Sequence, residues 1–502
     1  MDPVRLTGRK SALSVLQIEQ VQSRIRELFP GIRTEIIPVE TRGDQLGEIP
    51  LQTVEGTDFF TTEVFDMLRS GAADIAVHSL KDMSAAHFFG GHRFAVTERE
   101  DNRDMVIFNP EVQQKIEKGE TLVIGTCSPR REDMAIDFLS THLPSSHGPV
   151  PIEVKPIRGN VETRLRKLQE AGYDGTILAT AGLNRMLRSD ATAPMIRCLL
   201  AHKKCMILPL LECVPAPCQG AIVAEALPSN LRALQILEAL NDPDLLADCI
   251  QEKRMAHAFG VGCDQRFGVS VFTLGGRRYA YAGGRDGRGR KIAYWDGLPD
   301  AAERRLKLFS STDHMRSFYR YELDPVPPGI RTEAVFVANY KAVTPEVASI
   351  LKKKRVWVSG SKTWRELSAM GVWVEGSADA MGLDFLKGVF RMPVVSLDPS
   401  NCTILTHAEA AQRWREKGWR SVSSYSLHPA VPEELVQQLT GAGFAFWTSF
   451  GQYRQCSGVL SPHVIHACPA GETAALFRES GIEPLVFPTI QSFQSWRNSI
   501  TA

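Results

Sequence analysis

The stretch Asp74-Ile75-Ala76-Val77-His78-Ser79-Leu80-Lys81-Asp82 decides how the first part of this chain is read. A short apolar run with the character of a buried strand stops at once in polar residues. In an open α/β sheet the carboxyl ends of the strands face the ligand crevice, so these polar groups stand where a ligand binds. Asp82 is then the carboxylate best placed for chemistry. A polar cap on a strand end has the same appearance in isolation, so the neighbouring strand ends have to arbitrate.

Outward from that stretch the pattern alternates. Leu13, Leu16, Val21, Ile25 and Leu28 recur at helical spacing, residues 34–39 read as a strand, and residues 59–68 read as a helix leading into the quoted run. A second series follows, with strands at 122–125, 152–157 and 175–179 that each lead into a helix. Strand and helix in alternation imply a largely parallel sheet, and two such series imply two α/β lobes with a cleft between them. The segment Arg197–Gln219, rich in Cys and Pro, is expected to be an irregular crossing between the lobes.

The strand ends share a chemistry. Arg9 and Ser11 open the first helix; Thr126, Ser128, Arg130 and Arg131 follow one strand; Arg158, Thr163 and Arg164 follow another; Arg185 follows a third. Helix N-termini attract anions through free N–H groups, and guanidinium forks match carboxylates bidentately. Such groups gathered on the sheet edges point to a ligand bearing several carboxylates or phosphates.

The composition limits the alternatives. With 58 Lys and Arg against 57 Asp and Glu in 502 residues, the formal charge is +1, so a field that would gather nucleic acid or an anionic membrane is missing. No apolar run has the length of a signal peptide core or a membrane span, which predicts a cytoplasmic protein. The ten cysteines form no CxxC pair and no zinc spacing, so no metal site is expected.

Past residue 240 the chain reads as a helix through Met255, strands at 269–274 and 278–283, and a basic amphipathic helix over 301–319. Asp324-Pro-Val-Pro-Pro-Gly329 is the clearest linker. Beyond it lies an internal repeat: Phe336-Val-Ala-Asn339 matches Phe446-Trp-Thr-Ser449, and Thr363 and Gly371 match Thr473 and Gly481, at a constant offset of 110 residues. Each copy reads as strand, helix, strand, turn and helix, ending in a glycine suited to stop a helix.

These motifs together carry a resemblance. Arg5 to Gln17, Thr41-Arg42-Gly43-Asp44, His78 to Asp82, Arg130-Arg131, Arg158 to Arg164, Tyr173 to Arg185 and Gly262-Cys263 resemble, in order over about residues 4–320, the porphobilinogen deaminase (hydroxymethylbilane synthase) family. The resemblance implies two periplasmic-binding-protein-like lobes, here residues 1–98 with 220–238 and residues 102–213, plus a small α+β domain at 240–322. It also implies head-to-tail condensation of four porphobilinogens with loss of ammonia. Each pyrrole brings an acetate and a propionate, which accounts for the cationic strand ends. Deamination needs a proton donor for the leaving amine and then an anion beside the cation left behind, and one carboxylate can serve both steps.

By this resemblance Asp82 is that carboxylate. Arg9, Ser11, Arg158, Arg164 and Arg185 match positions binding substrate carboxylates, and Lys81, Thr126, Ser128, Arg130 and Arg131 match positions holding the dipyrromethane cofactor, attached by a thioether at Cys263. Read by itself, Cys263 is one thiol among ten. The segment 51–58 departs from the family, with Thr53 and Thr57 at lysine positions of a lid loop and acids at Glu55 and Asp58.

Residues 330–502 resemble uroporphyrinogen-III synthase, in a shortened form lacking the usual opening strand. That implies a two-halved α/β domain that closes the linear tetrapyrrole, with Thr448, Ser449 and Thr473 as cleft polar groups. A non-catalytic tail, or a two-lobed binding protein without turnover, are the other readings.

Overall fold

The computed structural model describes residues 2–41, 61–90, 93–170, 172–260, 265–300, 306–314, 318–326 and 329–501. It is a mixed α/β chain that divides into two compact units. One comprises Met1–Ser140, Val150–Val271 and Ala280–Ala293, the other Thr141–Pro149, Phe272–Tyr279 and Tyr294–Ala502.

The first unit contains two five-stranded sheets of matching design. β1 (Val4–Arg9), β2 (Thr34–Val39), β3 (Ile75–Ser79), β4 (Arg93–Arg99) and β10 (Ala221–Ala226) are ordered β2-β1-β3-β10-β4. β5 (Asp104–Phe108), β6 (Leu122–Gly125), β7 (Ile152–Lys155), β8 (Gly175–Ala179) and β9 (Lys204–Ile207) are ordered β7-β6-β8-β5-β9. In both, three neighbouring strands run parallel and the fourth runs against them. The sheets are therefore mixed where the βα alternation suggested largely parallel ones. The antiparallel strands β5 and β10 are those through which the chain enters one sheet on coming from the other.

Two segments make those passages, between β4 and β5 and between β9 and β10. Most of the first half of the expected irregular crossing is regular, with a helix at Ala193–Leu200 and then β9, so residues 201–203 and 208–220 are the parts free of regular structure. Gly220 closes that segment at φ +87°, and a Cβ there would stand 2.4 Å from the carbonyl oxygen of Glu100 in the other passage. The two passages thus touch at a position that only glycine fits.

The first sheet is packed by Leu6, Ile18, Val21, Ile25, Ile75, Val77, Ile222, Ile236 and Leu237, all at most 3 % exposed. The helical stripe of Ala12–Leu28 supplies Ile18, Val21 and Ile25, and the alternate residues of three strands supply the facing layer. This burial fixes the register that sends each strand end to the same edge.

A helix, Pro243–Phe259, leads to β11 (Arg266–Leu274), β12 (Arg277–Arg285) and β13 (Lys291–Asp296), a three-stranded sheet in that order. Among the described residues of 301–319 the expected amphipathic helix is replaced by other elements. Leu308–Ser310 is β14, Ser311–His314 is a 3-10 turn and Tyr319–Leu323 is β15.

β14 and β15 also move the expected boundary. β14 pairs in parallel with β21 (Phe444–Phe446), and β15 pairs antiparallel with β20 (Arg420–Pro429), so strands before the 324–329 linker belong to sheets built after it. The linker joins two strands of one unit, and the domain limits of 322 and 330 do not stand. β16 (Ala334–Val337), β17 (Arg355–Val358), β18 (Val374–Ser377) and β19 (Cys402–His407) complete a six-stranded sheet β15-β20-β19-β16-β17-β18. β22 (Ile465–Pro469) and β23 (Leu485–Phe487) complete a four-stranded sheet β14-β21-β22-β23.

The repeat is visible in these sheets, since β16-β17-β18 and β21-β22-β23 are the same parallel triplet. Gly371 and Gly481 stop equivalent helices at φ +75° and +79°, the left-handed conformation that a helix C-terminus favours. β14, ahead of the linker, is a strand that the sequence reading did not place. It went unseen because three residues are too few to show a period.

Candidate active site

β3 is buried over Ile75–His78 and gives way to a 3-10 turn, Leu80–Asp82. Leu80 and Met83, at 0 % and 1 % exposure, anchor the turn from beneath. Ser84 then caps the helix Ala85–Phe89 by accepting from the His87 N–H at 3.1 Å. Lys81 and Asp82 are left half-buried on the turn. At the end of β1, Ser11 is the N-cap of the helix Ala12–Leu28, and its hydroxyl makes no capping bond. A free hydroxyl over the N-terminus of a long helix suits an anionic group.

The second sheet presents its own strand ends. After β6, Thr126 accepts from the Ser128 N–H at 3.2 Å and Ser128 accepts from the Arg131 N–H at 3.4 Å. Both hydroxyls expected on the cofactor therefore serve in capping the helix Pro129–His142. Arg130 and Arg131 sit in its first turn, 5 % and 8 % exposed.

These two arginines, expected to hold the cofactor, are also held by a buried carboxylate. Asp104, at the start of β5, takes the Arg130 Nη2 at 2.7 Å on one oxygen and the Arg131 Nη2 at 2.8 Å on the other. Gln219 adds a third donor at 2.9 Å. Backbone carbonyls of Val214 and Ile177 hold the remaining Nη1 atoms at 2.6 and 3.2 Å. Burial opposes ionisation of Asp104, but the two guanidiniums overcome it and hold the carboxyl far below the usual range. Two cations on one anion leave a net positive charge, and the buried Arg131 Nε has no hydrogen-bond partner among the described residues.

Arg185 also has protein partners. At 3 % exposure its Nη2 donates to the Gly220 carbonyl at 2.7 Å and to Glu98 at 3.2 Å, which ties it to the passages between the sheets. Burial lowers its pKa and Glu98 partly restores it.

Arg158 and Arg164 follow β7, where Asn160 caps the next helix at 2.8 Å from the Thr163 N–H and the Arg164 Nε donates to the Gly159 carbonyl at 2.9 Å. The pKa of Arg164 is lowered to about 10, first by burial, then by the charge of Arg131 and, among smaller contributions, that of Arg158. Asp82, on the other sheet, acts on it in the opposite sense. Lys81 is lowered as well, by burial first, with Arg131 and Arg130 adding to the effect and Asp82 and Asp104 countering it. Mutual electrostatic influence thus joins Lys81, Asp82, Arg130, Arg131 and Arg164 across the strand ends of two sheets. Arg9 lies half-buried at the end of β1.

Cys263, Thr53, Thr57, Glu55, Asp58 and the Arg42-Gly43-Asp44 motif lie outside the described residues. In the second unit Thr448 and Ser449 follow β21. Thr448 Oγ1 meets Gln452 at 2.7 Å, its N–H donates to Ser311 at 2.8 Å, and Ser449 forms a capping box with Gln452. Their first task is to start the helix Phe450–Cys456. Thr473 lies half-buried in the first turn of Glu472–Glu479.

Asp104 is the functional residue that motif reading missed. Its signal was an acid heading the otherwise apolar strand Asp104-Met-Val-Ile-Phe108, which calls for a buried cation partner.

Fold and site together define a two-sheeted α/β unit whose strand ends form a locally cationic anion site around one carboxylate. Comparison with known proteins gives the family. Residues 4–234 match the model for the porphobilinogen deaminase dipyrromethane cofactor-binding domain. The porphobilinogen deaminase of Chromobacterium violaceum is 35% identical over 282 residues, covering 55% of this chain and 84% of that protein. That of Thiobacillus denitrificans is 34% identical over 279 residues, covering 55% and 83%. The chain belongs to the porphobilinogen deaminase family, and its first unit carries that family's dipyrromethane cofactor-binding domain.

Proposed function

We propose that this chain is a hydroxymethylbilane synthase that condenses four porphobilinogens head to tail and releases ammonia, with Asp82 as the acid and the stabilising anion. The observation that carries this reading is the placement of Lys81 and Asp82 on the turn after β3 in a chain of this family. Asp82 protonates the leaving amine, and its carboxylate then faces the cation that remains. Arg9, Arg158 and Arg164 and the Ser11 hydroxyl bind the acetate and propionate groups. Arg130 and Arg131 contribute through the net charge they keep beyond Asp104.

The residues present fit a dipyrromethane. An uncapped Ser11 hydroxyl, an unpartnered Arg131 Nε and an Arg164 crowded by other cations form an excess of donors and positive charge that a multi-carboxylate group satisfies. Lys81, Arg131 and Arg164 would hold it, with attachment at Cys263. When bound, it supplies the end onto which the chain grows. Intact mass spectrometry tests the attachment: the parent should carry the added mass of a covalent dipyrromethane, and Cys263→Ser should not. The added mass surviving in that variant places the anchor on another cysteine.

For the second unit the reading is a uroporphyrinogen-III synthase-like module. Its support is the repeated parallel triplet, with Ser311 and Thr448 brought together where β14 and β21 end. The full chain supplied with porphobilinogen should yield a macrocycle with one pyrrole inverted. A linear or uninverted product assigns the unit a non-catalytic role. The 51–58 segment, with threonines in place of lid lysines, makes weaker ligand retention part of the proposal.

A further inference from the structure

His78 belongs to the polar run at the end of β3, yet its side chain does not face the crevice. It is 5 % exposed and its Nε2 lies 3.3 Å from one oxygen of Glu225, a residue of β10 that is itself at 0 % exposure. The other oxygen of Glu225 is 2.7 Å from the Nε2 of His87. The sheet register explains the first contact. Val223 pairs with His78 and Glu225 with Ala76, so Glu225 and His78 are diagonal neighbours on one face.

The chain order explains why the contact matters. His78 precedes the turn Leu80–Asp82, and His87 lies in the helix that follows it. One buried carboxylate therefore touches both flanks of the turn that presents Asp82, through a hydrogen bond with His87 and a 3.3 Å charge contact with His78 that lacks hydrogen-bond geometry. Phe65 packs edge-on against His87 at 5.1 Å and Phe94 lies at 6.0 Å, so the grip is made in apolar surroundings where a hydrogen bond to a carboxylate is strong and a missing partner is costly. Burial opposes the charge on Glu225, but His78 and His87 hold its pKa down to about 2, so it is an anion at neutral pH. Lys253 adds to the restraint by donating to the Met83 carbonyl immediately after Asp82.

We propose that Glu225, acting through His78 and His87, is the positioning residue that fixes the Asp82 turn in its productive placement. The proposal rests on Asp82 being the acid, and its test separates the two. In Glu225→Gln the buried negative charge that faces both histidines is removed, so the turn loosens while the side-chain volume is kept. A displacement of about 1 Å at a reacting group can cost up to about a hundredfold in rate. The expected result is a fall in kcat of about tenfold or more per primer-loaded molecule with KM within about threefold, because the carboxylate clamps are untouched.

A merely structural role gives a lower melting temperature and less primer-loaded protein with kcat per loaded molecule within about twofold of the parent, and that result overturns the proposal. If Glu225→Gln does not fold, His87→Gln, which leaves the His78 contact in place, is expected to show the same split at smaller size, and its absence is equally decisive. The second readout needs no turnover. The Asp82 carboxyl carbon resonance, assigned by difference from Asp82→Asn, should shift or broaden in either variant. An unchanged line overturns the positioning role, while an Asp82→Asn protein that releases ammonia from porphobilinogen at the parent's rate overturns the assignment of Asp82 alone.

Discussion

Asp82→Asn is expected to fold as the parent does and to release ammonia from porphobilinogen at no more than about a hundredth of the parent rate. Loss of one essential electrostatic group costs roughly two to four kcal/mol of barrier. An amide neither donates the proton nor balances the cation. The fold should survive because Leu80 and Met83 anchor the turn from the core, whereas the Asp82 side chain is half-buried at its edge. The substitution has a secondary effect of known direction. Asp82 is the foremost charge raising the pKa of Lys81 against burial, so Lys81 loses its proton more readily in the variant. Ammonia release measured across pH therefore separates the two effects, and activity near the parent's at every pH removes Asp82 from the reaction.

Asp104→Ala should show the largest loss of stability of any single change at the site. It leaves the Arg130 and Arg131 guanidiniums buried without their counter-ion, and breaking a buried pair in this way costs about 3–5 kcal/mol. The melting transition of the first unit should fall, and that of the second should stay, because Asp104 and its partners all lie in the first. The sign of the pH dependence follows from the depressed carboxyl. Asp104 titrates lower in the folded chain than its ordinary 3.8, so its contribution is complete above that value and is lost as the pH falls through the folded value. Parent and variant should differ most near neutrality and converge in acid. A difference that grows as the pH falls contradicts the ionised pairing.

The site was legible wherever chemistry sits directly after a strand. Asp74 to Asp82 announced itself because burial demands apolar residues and catalysis demands polar ones, and the two meet within a few positions. Arg9, Arg158 and Arg164 were readable for the same reason. Arg130, Arg131 and Arg185 carried the same signal and have different first partners. Whether a guanidinium faces a ligand or a buried carboxylate depends on Asp104 and Glu98, which come from strands of other order in the sheets.

The second unit shows the same division. A constant offset of 110 residues was visible in the sequence because two copies of one triplet need the same apolar strands, the same capping hydroxyl or amide and the same helix-stopping glycine. β14 and β15 were not visible, since strands of three and five residues gain their identity from hydrogen bonds to β21 and β20, more than a hundred residues away. By itself the sequence determined the α/β class, the strand whose end carries Lys81 and Asp82, and the repeat, all of which rest on local periodicity and on what burial permits. Only the tertiary structure decided which charges neutralise one another, where the units divide, and that Glu225 lies between His78 and His87. Those outcomes depend on which strands become neighbours, and strand neighbours are chosen by the sheet as a whole.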